Sequence, residues 1–324
     1  MFKVGPNPYG LCCTLGLQAN LPKPKDVWWF IELAESTKAC CIEFHFLHLS
    51  ALSDDERNRV RDRIQEAGLE PIISGPWPLD RITESIPVAH QLGVRTVRTH
   101  LSPILCGDRA AQGDKWTELN RDIRTKLVET GPAFADASLC LAIENHQDFG
   151  SEELLEFCEI GGPAMGITLD TGNPLAVGED PISFAKRVAP NVRHVHLKDY
   201  RAQATPEGYR LVRCAIGDGA VPLAEIHTIL ANHHQQLTAS LEPGALESRH
   251  VRLLTKEWWN GYPERTPDQI KACLNASTIN AIPAGEDYRT PLERGETSEQ
   301  VSAYEVEQME KSVKNMQQLG WLPK

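Results

Sequence analysis

The sequence lacks the features of membrane, secreted and nucleic-acid-binding proteins. No apolar run approaches the roughly twenty residues that a transmembrane helix needs, and the opening residues MFKVGPNPYG contain no apolar stretch typical of a secretion signal. No run of lysine or arginine interrupts a formal net charge of −11, so a nucleic-acid partner is not expected. The nine cysteines include no C-x-x-C pair. This pattern favours reduced thiols in a cytoplasmic protein over a zinc–cysteine site.

Short apolar segments alternate with amphipathic helical segments along the 324 residues. Eight units of a strand followed by a helix predict a closed (β/α)₈ TIM barrel. An open, doubly wound sheet is the alternative, but no G-x-G-x-x-G follows the first strand. The predicted strands are Lys3–Pro6, Cys40–Phe46, Glu70–Ser74, Thr96–Leu101, Leu139–His146, Gly166–Asp170, Arg193–Asp199 and Thr238–Glu242. The predicted helices are Lys25–Glu35, Ser53–Ala67, Ile82–Leu92, Trp116–Glu129, Ser151–Ile160, Pro181–Val188, Pro222–Asn232 and Ser302–Leu319.

A long segment, residues 245–300, separates the eighth predicted strand from the last helix. It is too long for a plain loop, so we expect it to be functional or to contain short helices of its own. We interpret residues 1–324 as one barrel domain that carries this insertion. An aromatic and basic cluster within it, Trp258, Trp259, Tyr262 and Arg265, is typical either of a lid over the barrel mouth or of an interface in a homo-oligomer.

Four consecutive predicted strands each end in a potential metal ligand. The residues are Glu144, Asp170, His196 and Glu242. In each strand the bulky aliphatic residues occupy alternate positions, and the potential ligand belongs to the other set. Because side chains alternate faces along a strand, all four ligands are expected to point into the barrel near the strand ends, where barrel enzymes form active sites. A hydrogen-bonded core residue is the alternative for any one of them, but four together predict a metal site.

The ligand types indicate which metal the site would hold. Three carboxylates and one imidazole favour a divalent ion such as Mn²⁺, with Mg²⁺, Co²⁺ or Zn²⁺ as the other candidates. Such an ion can polarise a carbonyl and stabilise an enolate, while carboxylates on either side of the substrate can move protons.

The segments IENH, TLDTGN, HVHLKD and SLEPG, in this order, resemble the xylose-isomerase-like superfamily of sugar isomerases, epimerases and inosose dehydratases. The resemblance spans the whole barrel. It implies one catalytic divalent metal, often Mn²⁺, on Glu144, Asp170, His196 and Glu242. It also implies that Glu144 and Glu242 act as acid and base on opposite faces of the substrate.

One position departs from the epimerases of that superfamily. Many of them carry a second histidine three residues after the aspartate, where this chain has Asn173. The segments LDTGNPLAVGEDP, GYRLVRCAIGDG and EWWNGYPER are similar to a lyase-type subgroup that resembles 3-oxo-isoapionate decarboxylase. The resemblance therefore implies a metal-dependent lyase that forms a metal-bound enolate. Its substrate would be a 3-oxo sugar acid that loses CO₂, or a 3-oxo sugar that undergoes elimination.

Further candidates lie on the same inward faces. His146 and Lys198 each lie two residues beyond a ligand, and we interpret them as catalytic together with Glu144 and Glu242. A loop histidine and a lysine paired with Asp199 are the structural alternatives. The predicted substrate-binding residues are Glu43, His45, Arg98, His100, Asn173, Trp258 and Arg265, and for the four in the second and fourth strands a polar network in the barrel core is the alternative. Arg249 and Arg252 are candidate carboxylate clamps, because guanidinium groups bind carboxylates bidentately.

Three other functions compete with the lyase. A metal-dependent sugar isomerase or epimerase would use the same enolate. A metal-stabilised sugar-binding protein without turnover would lack acid–base groups beyond the ligands, and His146 and Lys198 disfavour it. A phosphodiester hydrolase would need a basic groove and clustered metals, and the sequence predicts neither.

Overall fold

Eight parallel strands form the central sheet. The computed structural model describes residues 2–18, 21 and 23–322. The described residues form eleven strands, of which eight belong to this sheet. In chain order they are β1 (Lys3–Pro6), β2 (Cys41–His45), β3 (Glu70–Ser74), β4 (Thr96–Thr99), β5 (Cys140–Glu144), β6 (Met165–Asp170), β7 (Val192–Leu197), β8 (Tyr200–Thr205), β9 (Gly208–Arg213), β10 (Thr238–Leu241) and β11 (Arg249–Val251). The central sheet has the order β1-β10-β7-β6-β5-β4-β3-β2. This order, with helices between consecutive strands, confirms the predicted TIM barrel.

The helices are α1 (Val27–Ser36), α2 (Phe46–Ser50), α3 (Asp54–Glu66), α4 (Ser85–Leu92), α5 (Lys115–Asp136), α6 (Ser151–Gly161), α7 (Pro181–Val188), α8 (Leu223–Ala231), α9 (Pro267–Ala276) and α10 (Ser298–Gln318). Every helix predicted from the sequence is present. The ends differ by at most four residues, except that α5 continues to Asp136, seven residues beyond its predicted end. Helix α10 begins four residues before the predicted Ser302 because Thr297 caps it, in a capping box with Gln300. Within the described ranges, no helix is both long and apolar enough to cross a bilayer.

Close contact between β1 and β2 nearly closes the barrel. The amide of Cys40 donates a hydrogen bond of 2.8 Å to the carbonyl of Val4. A Cβ at Gly5 would lie 1.7 Å from the carbonyl oxygen of Cys41. Position 5 therefore requires glycine, because any side chain would push the two strands apart.

The two faces of the barrel strands differ in polarity. Ile167 and Leu169 of β6 belong to the main hydrophobic core, which lies between the sheet and the helices. Thr168 and Asp170 alternate with them, are also fully buried, and belong to the set predicted to face the barrel interior. This alternation brings polar residues from several strands into one enclosed interior.

A second, three-stranded sheet was not predicted. Strands β8 and β9 form an antiparallel hairpin directly after β7, and β11 pairs with β9. The predicted insertion supplies β11, a short 3₁₀ helix at Glu257–Trp259, and α9. A separate hydrophobic cluster, which includes Tyr209, Val251 and Trp258, joins the insertion to the hairpin. The expectation that the segment 245–300 contains short helices is thus confirmed.

The first turn of α3 gives a test of local stability. Ser53 is the N-cap residue: its hydroxyl accepts from the amide of Glu56, and the Glu56 carboxylate accepts from the amide of Ser53 at 2.8 Å. We expect Ser53→Ala to lower the free energy of unfolding by about 1 kcal/mol, because backbone donors in the first turn lose their partner. Urea denaturation followed by circular dichroism measures the change. Ser36→Ala, at the exposed end of α1, is the control; an equal loss in both variants would contradict this role of the cap.

Candidate functional site

Glu144, Asp170, His196 and Glu242 converge at the carboxyl ends of four neighbouring strands. One potential ligand atom from each residue lies within 4.8 Å of the others. All four side chains are buried. The strand order places β5, β6, β7 and β10 side by side, so residues that are distant in the sequence occupy adjacent positions around the mouth. The structure therefore brings together the ligand set predicted from the sequence.

The ligand atoms of this cluster that are available to a cation suit a divalent metal ion. Glu144 Oε1 is buried without a hydrogen-bond partner among the described residues. His196 Nδ1 and Glu242 Oε2 are also buried; they lie 3.0 Å from each other, and neither forms a well-aligned hydrogen bond with a described residue. Buried polar atoms without partners are rare and usually indicate a missing ligand or a catalytic role. Three carboxylates and one imidazole nitrogen are suitable donors for a divalent metal such as Mn²⁺ or Mg²⁺. The residues present thus fit the metal that the sequence predicts.

Glu43 contacts His196 at Nε2, the ring nitrogen that does not face the cluster. Glu43 Oε2 lies 3.0 Å from His196 Nε2 and 3.1 Å from His194 Nε2. Asn7 Nδ2 and Ser74 Oγ also donate to the Glu43 carboxylate, at 3.0 and 2.5 Å. Because its oxygens already accept several hydrogen bonds, Glu43 acts in a polar network of the barrel core and does not line the mouth. A carboxylate on Nε2 fixes the imidazole so that Nδ1 faces the cluster.

Opposing effects set the pKa of His196. Burial alone would lower the pKa, but the carboxylates of Glu43 and Glu242 outweigh burial and raise it. A bound dication would compete with the proton for Nδ1, because a metal binds the neutral imidazole.

Cationic side chains compensate the carboxylates. Arg98 donates to Glu144 Oε2, and Arg213 Nη1 donates to Glu242 Oε1 at 3.0 Å. Lys198 Nζ lies 2.5 Å from Asp170 Oδ2 and 2.7 Å from Glu242 Oε1. Burial alone would lower the pKa of Lys198, but Asp170 and Glu242 outweigh burial and raise it, so Lys198 stays charged. With these cations in place, a bound dication would give the cluster excess positive charge, which favours an anionic substrate.

A cavity of about 460 Å³ opens above the cluster. Its lining includes Glu242, three arginines and four histidines: Arg98, Arg213, Arg249, His45, His48, His100 and His146. Burial, reinforced by nearby arginine, lowers the pKa of His100 to about 3, and burial also holds the pKa of His146 well below its ordinary value. These two imidazoles are therefore neutral at pH 7, and the positive charge of the cavity comes from the arginines.

The structure separates the predicted substrate-binding residues into two groups. His45, Arg98 and His100 line the cavity, and so does the predicted catalytic residue His146. Three other predicted residues are buried beside the cluster and do not line the cavity: Glu43, Asn173 and Lys198. The backbone amide of Asn173 donates to Asp170 Oδ1 at 3.0 Å, and the side-chain Oδ1 of Asn173 accepts from the Tyr200 hydroxyl at 3.1 Å. The backbone of Asn173 and the side chain of Lys198 therefore hold ligand carboxylates in place.

The structure places Trp258 and Arg265 away from the cavity. Trp258 is 1% exposed, and its Nε1 donates to the Cys106 carbonyl at 2.9 Å. Arg265 Nη2 pairs with Glu179 Oε1 at 3.0 Å. Each side chain bonds to a residue outside the insertion, and these two contacts join the insertion to neighbouring loops. Neither reaches the cavity, and Trp258 is too deeply buried to anchor a subunit interface.

Arg213 and Tyr9 are cavity residues that the sequence analysis missed. Arg213 is the last residue of β9, in the hairpin that was not predicted. The strand-favouring residues Tyr209, Leu211 and Val212 in GYRLVR were the available signal for that strand. Tyr9 lies just after β1, and its ring centroid is 5.1 Å from the guanidinium carbon of Arg98. No spacing in the sequence connects these two residues.

Comparisons with known proteins agree with this geometry. The chain is 24% identical over 242 residues to 3-oxo-isoapionate decarboxylase of Pectobacterium atrosepticum, which covers 73% of this chain and 78% of that protein. The D-psicose 3-epimerase of Clostridium cellulolyticum, solved with D-tagatose, superposes with a TM-score of 0.55 at 16% identity, over 79% of this chain and 91% of that one.

A xylose isomerase-like TIM barrel protein of Mycobacterium smegmatis, solved in complex with magnesium, superposes with a TM-score of 0.54 at 15% identity, over 85% of this chain and 97% of that one. At these identities the solved structures show a common fold. The family model for xylose isomerase-like TIM barrels matches residues 31–250. The barrel, the ligand set at its mouth and this match together show that the chain belongs to the xylose isomerase-like TIM barrel family.

Proposed function

We propose that the protein is a divalent-metal-dependent lyase that acts on a 3-oxo sugar acid. The charge of the cavity is the observation that carries this proposal. Three arginines line it, and among the described lining residues Glu242 is the sole carboxylate. A neutral ketose does not need this excess of positive charge, whereas a sugar acid does. The similarity to a 3-oxo-isoapionate decarboxylase supports the same substrate class.

Glu144, Asp170, His196 and Glu242 would hold the metal, which we propose to be Mn²⁺. Mixed carboxylate and imidazole ligands suit Mn²⁺, and Mg²⁺ accepts a similar set. When bound, the ion supplies Lewis-acid polarisation of the substrate's carbonyl oxygen. A xylose isomerase-like TIM barrel protein of Mycobacterium smegmatis was solved in complex with magnesium, which supports the proposal of a divalent ion in this protein.

The proposed reaction is the loss of CO₂ from a β-keto acid. The C1–C2 bond breaks, C1 leaves as CO₂, and the bonding electrons form the C2–C3 enolate, whose charge is on the oxygen at C3. A proton then adds to C2, which gives a ketose one carbon shorter. No oxidant or reductant is required.

The chain supplies groups that can move this proton. His146 Nδ1 is buried without a hydrogen-bond partner among the described residues, and Glu242 Oε2 lies 3.0 Å from His196 Nδ1. Both residues line the cavity. We propose that one of these atoms relays the proton to C2. Elimination from a 3-oxo sugar would use the same enolate, formed when a base at this position removes the proton next to the carbonyl.

Isomerisation or epimerisation of a sugar is the second candidate. The carboxylates of Glu144 and Glu242 both face His196, with oxygens 3.6 and 3.0 Å from its Nδ1. Two carboxylates beside one substrate could remove and return a proton, as the resemblance to epimerases implies. A binding protein without turnover is less well supported, since His146 lines the cavity and its Nδ1 has no hydrogen-bond partner among the described residues.

The reaction can be identified with the Mn²⁺-loaded protein in D₂O, tested on a panel of 3-oxo sugar acids and ketoses. We expect release of CO₂ from an acid and one deuterium at the new C–H bond of the product, both abolished by a chelator. His146→Gln should retain metal and lower turnover by about a hundredfold, the usual size of an acid–base contribution.

Two outcomes would contradict the lyase. Deuterium incorporation with the carbon count retained would identify an isomerase or epimerase. No chelator-sensitive reaction on any member of the panel would exclude enolate chemistry on these substrate classes.

A further inference from the structure

Arg249 differs from the other two arginines of the cavity in its partners. Arg98 is paired with Glu144, and Arg213 with Glu242. The Arg249 side chain is 14% exposed, and its Nε is buried without a hydrogen-bond partner among the described residues. Glu247 is the acidic residue beside it. The Glu247 side chain is half-exposed, and its Oε2 lies 3.9 Å from Arg249 Nη1.

An arginine in this state is suited to bind an oxyanion from the cavity. A guanidinium group carries a positive charge and five N–H donors in a planar arrangement. Leaving its donors unsatisfied costs stability, whereas a carboxylate can accept two parallel hydrogen bonds from the planar fork. Arg98 and Arg213 already donate to cluster carboxylates, so recruiting either would disturb a metal ligand.

We propose that Arg249 binds the carboxylate of the substrate and makes the protein select sugar acids over the corresponding neutral sugars. This inference rests on the proposed function, because it assigns a position to the carboxylate of the proposed substrate. Arg252 is the other clamp candidate from the sequence, and its Nη2 is 2.6 Å from Asp108 Oδ2. Arg252 is also absent from the cavity lining, so of the two clamp candidates Arg249 is the one that faces the cavity.

The direct test measures binding of xylonate and of xylitol to the Mn²⁺-loaded full chain by titration calorimetry. The two probes differ in charge and share most of their hydroxyl groups. We expect Arg249→Gln to weaken xylonate binding by about ten- to a hundredfold, the effect of one charge-assisted hydrogen bond, and to leave xylitol binding unchanged. Arg252→Gln, three residues along the insertion, should change neither.

Several outcomes would overturn the assignment. A preference for xylonate that persists in Arg249→Gln would assign the carboxylate to the metal. Equal loss for both probes would indicate a general disturbance of the cavity. A wild-type protein that does not prefer xylonate would have no carboxylate site. Tighter Arg249-dependent binding of ribose 5-phosphate than of xylonate would assign the site to phosphate.

The kinetic signature separates this inference from the proposed reaction. A contact with the carboxylate of the bound acid stabilises the ground state, so its loss should raise KM more than it lowers kcat. If no CO₂ is released but xylonate binding still depends on Arg249, the lyase fails and the carboxylate site stands. If circular dichroism shows that Arg249→Gln folds poorly, Arg249→Lys is the second variant, because it keeps the charge without the bidentate fork. We expect Arg249→Lys to weaken xylonate binding by a smaller factor and to leave xylitol binding unchanged. If a folded Arg249→Lys bound both probes as the wild type does, bidentate recognition would be contradicted.

Discussion

Glu242→Gln is expected to reduce metal affinity and turnover by more than about a hundredfold, because loss of a mere supporting partner of a ligand already costs about 10–100-fold. Glu242 contributes one of the three carboxylates in the cluster. An uncharged amide is a weaker donor to a dication. The substitution also removes a negative charge beside Arg213 and Lys198, so the remaining cations repel the metal more strongly.

Metal content by mass spectrometry after dialysis and turnover with added Mn²⁺ measure the two effects separately. Glu225→Gln, at an exposed position in the first turn of α8, is the matched control and should behave as wild type. A Glu242→Gln protein with full metal content and full turnover would refute the assignment of this residue to the metal site.

Glu43→Gln is expected to weaken metal binding by about 10–100-fold although Glu43 is outside the proposed ligand set. Its carboxylate accepts from His196 Nε2 and so presents Nδ1 to the cluster. A glutamine there can turn its amide nitrogen toward Nε2, which would favour the opposite tautomer and leave a proton on Nδ1. Because Asn7, Ser74 and His194 share this carboxylate, we also expect a loss of about 1–3 kcal/mol in the free energy of unfolding.

Competition with a fluorescent chelator measures the affinity, and urea denaturation of the metal-free protein measures the stability. Glu70→Gln is the control, because Glu70 lies on the adjacent strand β3 and pairs with Lys3 in a half-exposed position. If Glu43→Gln lost stability and kept its metal affinity, Glu43 would be a core residue with no effect on His196.

The barrel and its ligand set were predictable because both depend on local alternation. In β6, for example, the residue types at Ile167, Thr168, Leu169 and Asp170 fix which side chains face inward. Since parallel strands of a barrel end at one mouth, no long-range information was needed to bring Asp170 close to His196. The actual strand bounds follow the predicted ones within three residues.

The roles of the other predicted residues depend on packing between segments that are distant in the sequence, and no local sequence pattern indicates such packing. The cluster of Trp258 and Tyr262 suggested a lid or an interface, but the Tyr262 ring lies 3.8 Å from the Arg109 guanidinium, and this contact holds the insertion against another loop. Glu43 had two open interpretations, and only its contacts with His194 and His196 distinguish them. The cytoplasmic location and the homo-oligomer stay predictions.

The three-stranded sheet has a consequence for how such a protein can change. The cluster carboxylates and His196 come from the barrel strands or the residue that follows them, whereas Arg213 and Arg249 come from β9 and β11 of the smaller sheet. With the proposed role of Arg249, one determinant of substrate choice lies outside the barrel strands that carry the cluster. Descendants of one barrel could acquire new substrates by changes in β11 and the insertion, without altering a ligand of the metal or the Arg213 that pairs with Glu242.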